Sequence, residues 1–475
     1  MLPGKWPVLA CFTPLDRESR SDLATLLARS RVAGNGVYIG MTPSGMAFAP
    51  RQHGVLVLGP PRAGKTTAIV VPNVLAADGP VVAVSTKRDV LESTAPTRRA
   101  LGRVLLFDPS GEIPPPAGVE AVGWSPLLSA RRWDRAVITA ESMVGASRGS
   151  GTKSEQDHWN ERSAALLACA FHSAALDDST MDDVVSAVNR RDLTRMLATL
   201  SKSDSTLALD LLVGIAETDS REQSGIFSTA SGVLAAYRTE AALYSARLRP
   251  IDPDRFVTER STLYVATSAD HQRHVAPIIA GLVRDLRSAA YGRSGQVGSP
   301  LLLVLDELAN IAPLHDLPTL VAEGGSQGVV TLACLQDLSQ ARSRWGVAAD
   351  GFFTLFGTKI VLPGLGDTRT LEVMSVLAGE VDSPSISISS PRRGPLRRAT
   401  KTIASRRERL LSPHDVAVGE PGTAIVVVGA TIGRVKLTPA YQEAPFRRLV
   451  AHSAERAVTS ARILQFGARS FGRRH

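Results

Sequence analysis

The sequence predicts an α/β protein whose mostly parallel sheet is split in sequence by an inserted all-α domain. Two observations predict this. Several short runs are apolar throughout, as in strands buried on both faces of a parallel sheet, and each ends in polar residues. Between two groups of such runs lies a long stretch rich in Ala and Leu at helical spacing. At 475 residues, the chain is long enough for two domains or for one core with a large insertion.

The first 250 residues are assigned to three segments. Residues 1–50 hold a helical run, SDLATLLARSR, and two strand-like runs around a Pro-Ser-Gly turn. Residues 51–130 alternate buried-strand runs with helical segments, which is typical of an α/β core. Few β-branched runs interrupt the helical spacing of residues 131–250, so this segment is predicted to be the inserted all-α domain.

Strand signals return in residues 251–445, which are predicted to complete the same sheet. Within this segment, residues 381–409 pass from a Ser/Pro-rich stretch into a strongly basic one, and this pattern predicts a basic surface loop. Residues 446–475 are predicted to be a basic C-terminal tail with an Arg-rich end.

The stretch GPPRAGKTT follows a buried-strand run, precedes a helical one, and matches the phosphate-binding pattern G-x-x-x-x-G-K-[ST]. Its glycines let backbone N–H groups face phosphate oxygens, and its lysine supplies charge for the β- and γ-phosphates. The threonine hydroxyl after the lysine is a candidate Mg²⁺ ligand. The alternative, a chance Gly-rich turn, is weakened by the strand before it. The predicted cofactors are ATP and Mg²⁺, and the predicted binding residues are Gly59, Pro60, Pro61, Arg62, Ala63, Gly64, Lys65, Thr66 and Thr67.

A second strand run, LLLVL, leads directly to Asp306 and Glu307. Ligands of open α/β sheets bind at the carboxyl ends of strands, where this pair is predicted to lie. Asp306 is predicted to hold Mg²⁺ through its water shell, and Glu307 to orient and deprotonate the attacking water. The alternative is that the pair only starts a helix, as N-cap and first-turn acid.

Gln336 follows another strand run, GVVTLACL, and is predicted to sense the γ-phosphate or position water. The alternative is an ordinary helix-capping residue. The predicted catalytic residues of this ATPase are therefore Lys65, Glu307 and Gln336. Lys65 and Asp306 are so distant in sequence that the simplest topology is one nucleotide-binding domain, 51–130 with 251–445, split by the inserted helices.

The net charge of +9 indicates an anionic partner, for which nucleic acid and a membrane surface both qualify. Three cysteines lie far apart without metal-ligand spacing, which favours a reducing compartment. No secretory signal is evident, and the most apolar helical run is shorter than the ~18–20 residues that span a bilayer. We therefore expect a soluble, cytoplasmic protein.

These motifs resemble the type IV secretion coupling proteins, the TraG/TraD-like conjugative DNA-transfer ATPases. The resemblance covers residues 40–445 and is carried by GPPRAGKTTAIVVPNVL, VLLFDPSG, GWSPL, HWNERSAALLACA, and above all LDELANIAPLHDLPTLVAEGGSQG with CLQDLSQARSRWG. It implies a RecA-like P-loop NTPase fold with an all-α domain on one side. It also implies a homo-hexameric ring that passes single-stranded DNA with an attached relaxase to type IV secretion channel proteins.

Carried over by position, the resemblance supports Lys65 and Thr66 at the phosphates, Asp306 and Glu307 at the metal and water, and Gln336 as the sensor. The sequence departs from the family pattern in two places. Relatives carry arginines in a GRSRG-like stretch, one of them a finger towards the neighbouring subunit, where this chain has GGSQG.

The first departure puts Gly325 and Gln327 at the arginine positions. Either another arginine replaces them, with Arg342 and Arg344 as nearby candidates, or activation between subunits is weak. The second is that relatives commonly begin with membrane-spanning helices, which are not evident here. The resemblance therefore implies a peripheral association with the inner face of the plasma membrane, through a partner or the basic surface.

Two other functions share the same core. One is a nucleotide-switched docking receptor that recruits protein substrates without pumping, against which an intact Glu307 argues. The other is an FtsK-like pump for double-stranded DNA. The candidate DNA-phosphate contacts, each of which has a solvated charge without ligand as its alternative, are Arg392, Arg393, Arg397, Arg398, Lys401, Arg469, Arg473 and Arg474.

Overall fold

The computed structural model describes residues 22–147, 153–268, 270–293, 295, 298–311, 314–389 and 400–450. Fourteen strands are present in these ranges. In chain order they are β1 (Tyr38–Thr42), β2 (Gly45–Phe48), β3 (Val55–Leu58), β4 (Val81–Ser85), β5 (Val104–Phe107), β6 (Glu120–Ala121), β7 (Thr262–Ala266), β8 (Leu301–Leu305), β9 (Val329–Leu335), β10 (Thr358–Val361), β11 (Glu380–Ser389), β12 (Thr400–Arg409), β13 (Thr423–Val428) and β14 (Thr431–Lys436).

Twelve of the strands form one sheet in the order β2-β1-β14-β13-β10-β3-β9-β8-β4-β7-β5-β6. Every pair from β10 to β6 is parallel, and the pairs from β2 to β10 are antiparallel. The strands β3, β4, β8 and β9 are buried along their whole length because helices cover both faces of the sheet. The predicted α/β fold with a mostly parallel sheet is confirmed.

Nineteen α-helices accompany the strands in the described ranges. They are α1 (Asp22–Val32), α2 (Val71–Ala76), α3 (Asp89–Arg98), α4 (Trp133–Ser147), α5 (Lys153–Leu176), α6 (Met181–Arg190), α7 (Thr194–Leu200), α8 (Thr206–Ala216), α9 (Ser220–Val233), α10 (Glu240–Arg247), α11 (Pro253–Thr258), α12 (Gln272–Tyr291), α13 (Leu308–Ile311), α14 (Leu317–Gly324), α15 (Leu338–Trp345), α16 (Phe352–Leu355), α17 (Thr368–Ala378), α18 (Pro413–Val418) and α19 (Phe446–Leu449). A π-helical turn, Thr66–Val70, runs directly into α2.

The helices α4–α11 occupy the chain between β6 and β7, where the described residues form no strand. This arrangement agrees with an all-α insertion, while the boundaries at 131 and 250 stay a prediction. Trp124 is fully buried where the chain leaves the sheet, and its Nε1–H donates to Asp285 Oδ2 of α12 at 2.9 Å. Its ring also covers Gly281, where any Cβ would come within 2.3 Å of the ring. The base of the insertion is thus fixed to α12.

The prediction of a basic surface loop for residues 381–409 is wrong, because much of this segment forms two β-strands. Strands β11 and β12 pair antiparallel from Glu380↔Arg409 to Ser389↔Thr400 and form a separate two-stranded sheet. The alternation SISIS in β11 is a strand pattern, but its serines and Pro384 resemble turn residues in sequence. These two paired strands, residues 380–389 and 400–409, form the β11–β12 hairpin.

No helix within the ranges that the structure describes is both long and apolar enough to cross a membrane.

Candidate nucleotide-binding site

Four neighbouring parallel strands, β3, β9, β8 and β4, end at the same edge of the sheet. Their carboxyl ends enclose a pocket of about 340 Å³, and polar residues follow β4, β8 and β9. Its walls are Pro61, Arg62, Ala63, Gly64, Lys65, Thr66, Thr67, Lys87, Asp89, Asp306, Glu307, Cys334, Leu335, Gln336 and Gln340. The structure thus brings together the predicted phosphate loop, acidic pair and Gln336.

The phosphate loop curls between β3 and the π-helical turn. Arg62 and Gly64 have φ of +65° and +92°, which is left-handed backbone that turns successive N–H groups to one side. Gly59 starts the loop, and its N–H donates to Gln336 O at 3.1 Å. Lys65 Nζ donates to the carbonyl oxygens of Gly59 and Pro60, at 2.5 and 3.0 Å. The ammonium group therefore lies over the loop, next to the place where phosphates bind in such loops.

Asp306 lies at the bottom of the pocket and is only 6% exposed. Its two carboxylate oxygens accept from Thr66 Oγ1 at 3.1 and 3.0 Å, and one also accepts from Ser85 Oγ at 3.1 Å. Burial, with a smaller contribution from the nearby charge of Glu307, raises the pKa of Asp306 to about 6 against the opposing effects of the two hydroxyls and Lys65. The carboxylate is bound to the phosphate loop, which weighs against the helix-capping alternative.

Glu307 is half-buried on the same wall and accepts from Asn310 Nδ2 at 3.4 Å. Gln336 is exposed at the carboxyl end of the neighbouring strand β9, and its backbone N–H donates to Gln340 Oε1 at 2.9 Å. The N-cap of α15 is Asp337, which accepts from the N–H of Gln340. Gln336 is therefore not the capping residue that the alternative requires, and its side chain is available to a ligand.

Sequence reasoning missed the pocket residues Lys87, Cys334 and Gln340, and it missed Ser85, which donates to the pocket residue Asp306. The polar end of the run VVAVSTKRD was the one available signal for Ser85 and Lys87. Cys334 lies beneath the loop, where burial raises the pKa of its thiol well above the usual value. Nothing in its sequence context indicated this position.

Gly325 and Gln327, where the resemblance implies arginine, lie at the other edge of the sheet, just before the amino end of β9. A Cβ on Gly325 would come within 2.1 Å of the Gln52 carbonyl oxygen, so a side chain there requires a backbone shift. Of the two replacement candidates, Arg342 pairs with Asp350 at 2.8 Å, and Arg344 donates to Ala146 O at 2.9 Å. Both are engaged within the chain.

The candidate DNA contacts Arg392, Arg393, Arg397, Arg398, Arg469, Arg473 and Arg474 lie outside the described residues, and Lys401 is described for its backbone only. Their roles stay predictions.

The chain is similar in sequence to conjugal transfer proteins. The chain is 25% identical over 372 residues to the "Conjugal transfer protein TraG" of Escherichia coli, covering 70% of this chain and 56% of that protein. It is 22% identical over 385 residues to the protein of the same name from Agrobacterium fabrum, covering 77% and 56%. The chain thus spans just over half the length of these relatives.

Among solved structures, the coupling protein TrwB in complex with the ATP analogue ADPNP superposes with a TM-score of 0.65 at 20% identity, over 87% of this chain and 92% of that one. TrwB in complex with ADP and Mg²⁺ gives 0.63 at 20% identity, over 88% and 91%. These likenesses confirm the RecA-like P-loop NTPase fold. The family described as "Type IV secretory system Conjugative DNA transfer" matches residues 18–434. That match covers most of the chain, and the chain therefore belongs to the type IV secretion conjugative DNA-transfer family.

Proposed function

We propose that this chain is a Mg²⁺-dependent ATPase that drives DNA, with its attached relaxase, into a type IV secretion channel. One observation carries the proposal: Lys65, Thr66, Asp306, Glu307 and Gln336 line a single pocket although they come from three distant segments. Family membership supports the DNA-transfer role. Relatives named for conjugal transfer and the nucleotide-bound TrwB structures support it further.

The residues in the pocket fit both cofactors. Thr66 Oγ1 and the Asp306 carboxylate form an oxygen pair of the kind that Mg²⁺ prefers, and they already contact each other. When bound, Mg²⁺ would neutralise charge on the β- and γ-phosphates. Lys65 would turn from the loop carbonyls to the phosphates, and the left-handed loop would present its N–H groups to them.

The chemistry proposed for the chain's own groups is the activation of water. Glu307 lies on the wall next to Asp306, and its carboxylate would accept a proton from a water placed beyond the γ-phosphate. Gln336, on the neighbouring strand end, would orient that water or sense the γ-phosphate. Removal of one such proton acceptor costs about 10²–10⁴-fold in rate.

Glu307→Gln is the direct test. The variant should bind ATP with Mg²⁺ as the natural chain does, yet lose hydrolysis, because an amide cannot take the proton. Glu323→Gln, an exposed carboxylate on α14, is the matched control and should hydrolyse ATP normally. Transfer of DNA that survives in Glu307→Gln would contradict a motor and favour the docking receptor.

The response to single-stranded and to double-stranded DNA distinguishes the proposed function from the remaining alternative, an FtsK-like pump. Stimulation of hydrolysis by single-stranded DNA that weakens steeply with salt is expected of a single-strand translocase. Stimulation by duplex DNA alone would favour an FtsK-like pump. We further propose that the chain forms a homo-hexamer and that it associates with the inner face of the membrane through channel proteins. Size determination of the purified chain with an ATP analogue and DNA would test the hexamer.

A further inference from the structure

Helix α17 lies between the nucleotide pocket and the β11–β12 hairpin. It follows β10, a neighbour of the phosphate-loop strand β3, and it leads directly into β11. Both ends of the helix make specific contacts, which differ in what they touch.

The first turn of α17 contacts the pocket wall. Thr370 is fully buried, and its Oγ1 accepts from the backbone N–H of Leu338 at 3.2 Å. The same hydroxyl donates to Asp367, the N-cap of α17. Leu338 belongs to the turn 336–340, which carries the pocket residues Gln336 and Gln340. The Gln336 turn is therefore hydrogen-bonded directly to α17.

The last turns of α17 contact the base of the hairpin. Ser375 is fully buried and donates from Oγ to Leu411 O at 2.6 Å, just after β12. Arg409, the last residue of β12, donates from Nη1 to Ser375 Oγ at 3.2 Å and to Glu372 at 2.8 Å. Leu410 N–H also donates to Gly379 O at 2.9 Å. A two-stranded ribbon alone is marginally stable in water, so these contacts determine where the hairpin lies.

The sequence of residues 380–409 contains a large share of the chain's positive charge. Residues 380–409 include eight Lys or Arg and three Asp or Glu, a net +5 of the chain's +9. In the described stem, Arg407 has an 80% exposed side chain and lies 4.0 Å from Asp382. A sequence as basic as this suits the phosphate backbone of a nucleic-acid strand, but four of its basic residues, Arg392, Arg393, Arg397 and Arg398, lie outside the described residues.

We propose that α17 couples the state of the nucleotide pocket to the position of the β11–β12 hairpin, and that Thr370 is the positioning residue of this link. The inference rests on the proposed function. A helix of eleven residues is a rigid rod about 16 Å long. A shift of the Gln336 turn on γ-phosphate binding would displace the first turn of α17. The rigid helix would then displace the hairpin base at its other end.

Amide hydrogen exchange of residues 380–389 and 400–409 tests the link directly. The natural chain is compared with Mg²⁺ and either ADP or a non-hydrolysable ATP analogue. We expect the hairpin exchange rates to differ by about fivefold between the two nucleotides. Thr370→Val keeps the shape of the residue but removes the acceptor, and it should abolish the difference. Thr370→Ser, which keeps the hydroxyl, should restore it.

Thr368→Val, an exposed residue in the same turn of α17, is the control and should behave as the natural chain. Nucleotide affinity is measured for every variant. A natural chain that binds both nucleotides but shows equal hairpin exchange overturns this inference alone, whereas one that binds neither contradicts the proposed function as well. A Thr370→Val chain that keeps the difference also overturns it.

Arg409→Gln provides a second variant at the other end of the rod, should Thr370→Val fail to fold. It removes the contacts to Glu372 and Ser375, and Arg409 is not one of the residues that line the pocket. We expect unchanged nucleotide affinity with loss of the nucleotide-dependent exchange. Retention of the full difference in a folded Arg409→Gln chain would overturn the coupling.

Discussion

The Oγ1 atom of Thr66 lies 3.1 and 3.0 Å from the two carboxylate oxygens of Asp306, although 240 residues separate them. The contact exists because β3 and β8 flank β9 in a parallel sheet, so their carboxyl ends meet at one edge. It joins the phosphate loop to the acidic strand. The two groups proposed to hold Mg²⁺ are therefore already assembled by the fold.

Thr66→Val should reduce Mg²⁺–nucleotide affinity by about 10–100-fold, because the methyl group cannot serve as an oxygen ligand. Affinity measured in EDTA should change little, since Lys65 and the loop N–H groups are untouched. Titration of a fluorescent nucleotide with and without Mg²⁺ checks this. Thr206→Val, at the exposed start of α8, is the control. Equal losses in both conditions would contradict a metal role for Thr66.

The fold was predictable wherever burial leaves a local pattern. Strands such as LLLVL are buried on both faces and therefore apolar at every position, which the sequence displays directly. The β11–β12 hairpin was missed because its alternation involves serine, whose small polar side chain also marks turns. Strand order was not predictable, since it depends on pairings between residues hundreds of positions apart.

The same distinction holds for the site. Lys65 and Asp306 belong to motifs whose spacing and strand context can be recognised in sequence. Ser85 reaches Asp306 only because β4 lies beside β8, which no local pattern encodes. Gln340 enters the pocket because one turn of α15 brings it back towards Gln336. These residues depend on tertiary placement, not on a motif.

Asp285 connects α12 to the base of the helical insertion. It is 5% exposed, and it accepts from Trp124 Nε1 at 2.9 Å and from Ser129 Oγ at 3.0 Å. Burial raises its pKa, and the two hydrogen bonds oppose the shift without cancelling it. The folded chain therefore holds a proton on this carboxyl more tightly than the unfolded chain does.

Asp285→Ala should lower the free energy of unfolding by about 1–3 kcal/mol, because it leaves the indole N–H of Trp124 buried without an acceptor. Asp285→Asn keeps an acceptor and should cost less. With a raised folded pKa, the natural chain should gain stability relative to Asp285→Asn as pH falls from neutral towards the unfolded value near 4. Urea denaturation between pH 4.5 and 7.5 measures this difference. A difference in free energy of unfolding between the two chains that does not change with pH would contradict the raised pKa of Asp285.

Gly325→Ala should destabilise the chain by roughly 1–3 kcal/mol, because its Cβ would come within 2.1 Å of the Gln52 carbonyl oxygen. Gly214→Ala is the matched control: its Cβ meets nothing within 4 Å on α8, so a gain of about 0.5–1 kcal/mol is expected. Thermal unfolding of both variants measures these changes in stability. If Gly325→Ala were as stable as the natural chain, steric exclusion of arginine at this position would be contradicted.

The π-helical turn after the phosphate loop leaves one carbonyl to be satisfied from outside. Val71 N–H bonds to Thr66 O, five residues back, and the next residue, Pro72, has no N–H for Thr67 O. The backbone N–H of Ala440 donates to Thr67 O instead, at 2.8 Å. The segment after β14 thereby supports the helix that carries the nucleotide-binding threonines.

Ala440→Pro removes this donor and leaves Thr67 O without a partner. The free energy of unfolding should fall by about 1–3 kcal/mol, and the affinity for nucleotide should fall as well. Pro72→Ala supplies an N–H five residues after Thr67, so Ala440→Pro should cost less in that background. A double-mutant cycle by chemical denaturation measures the coupling between the two positions. Additive costs would show that the two donors do not serve the same carbonyl.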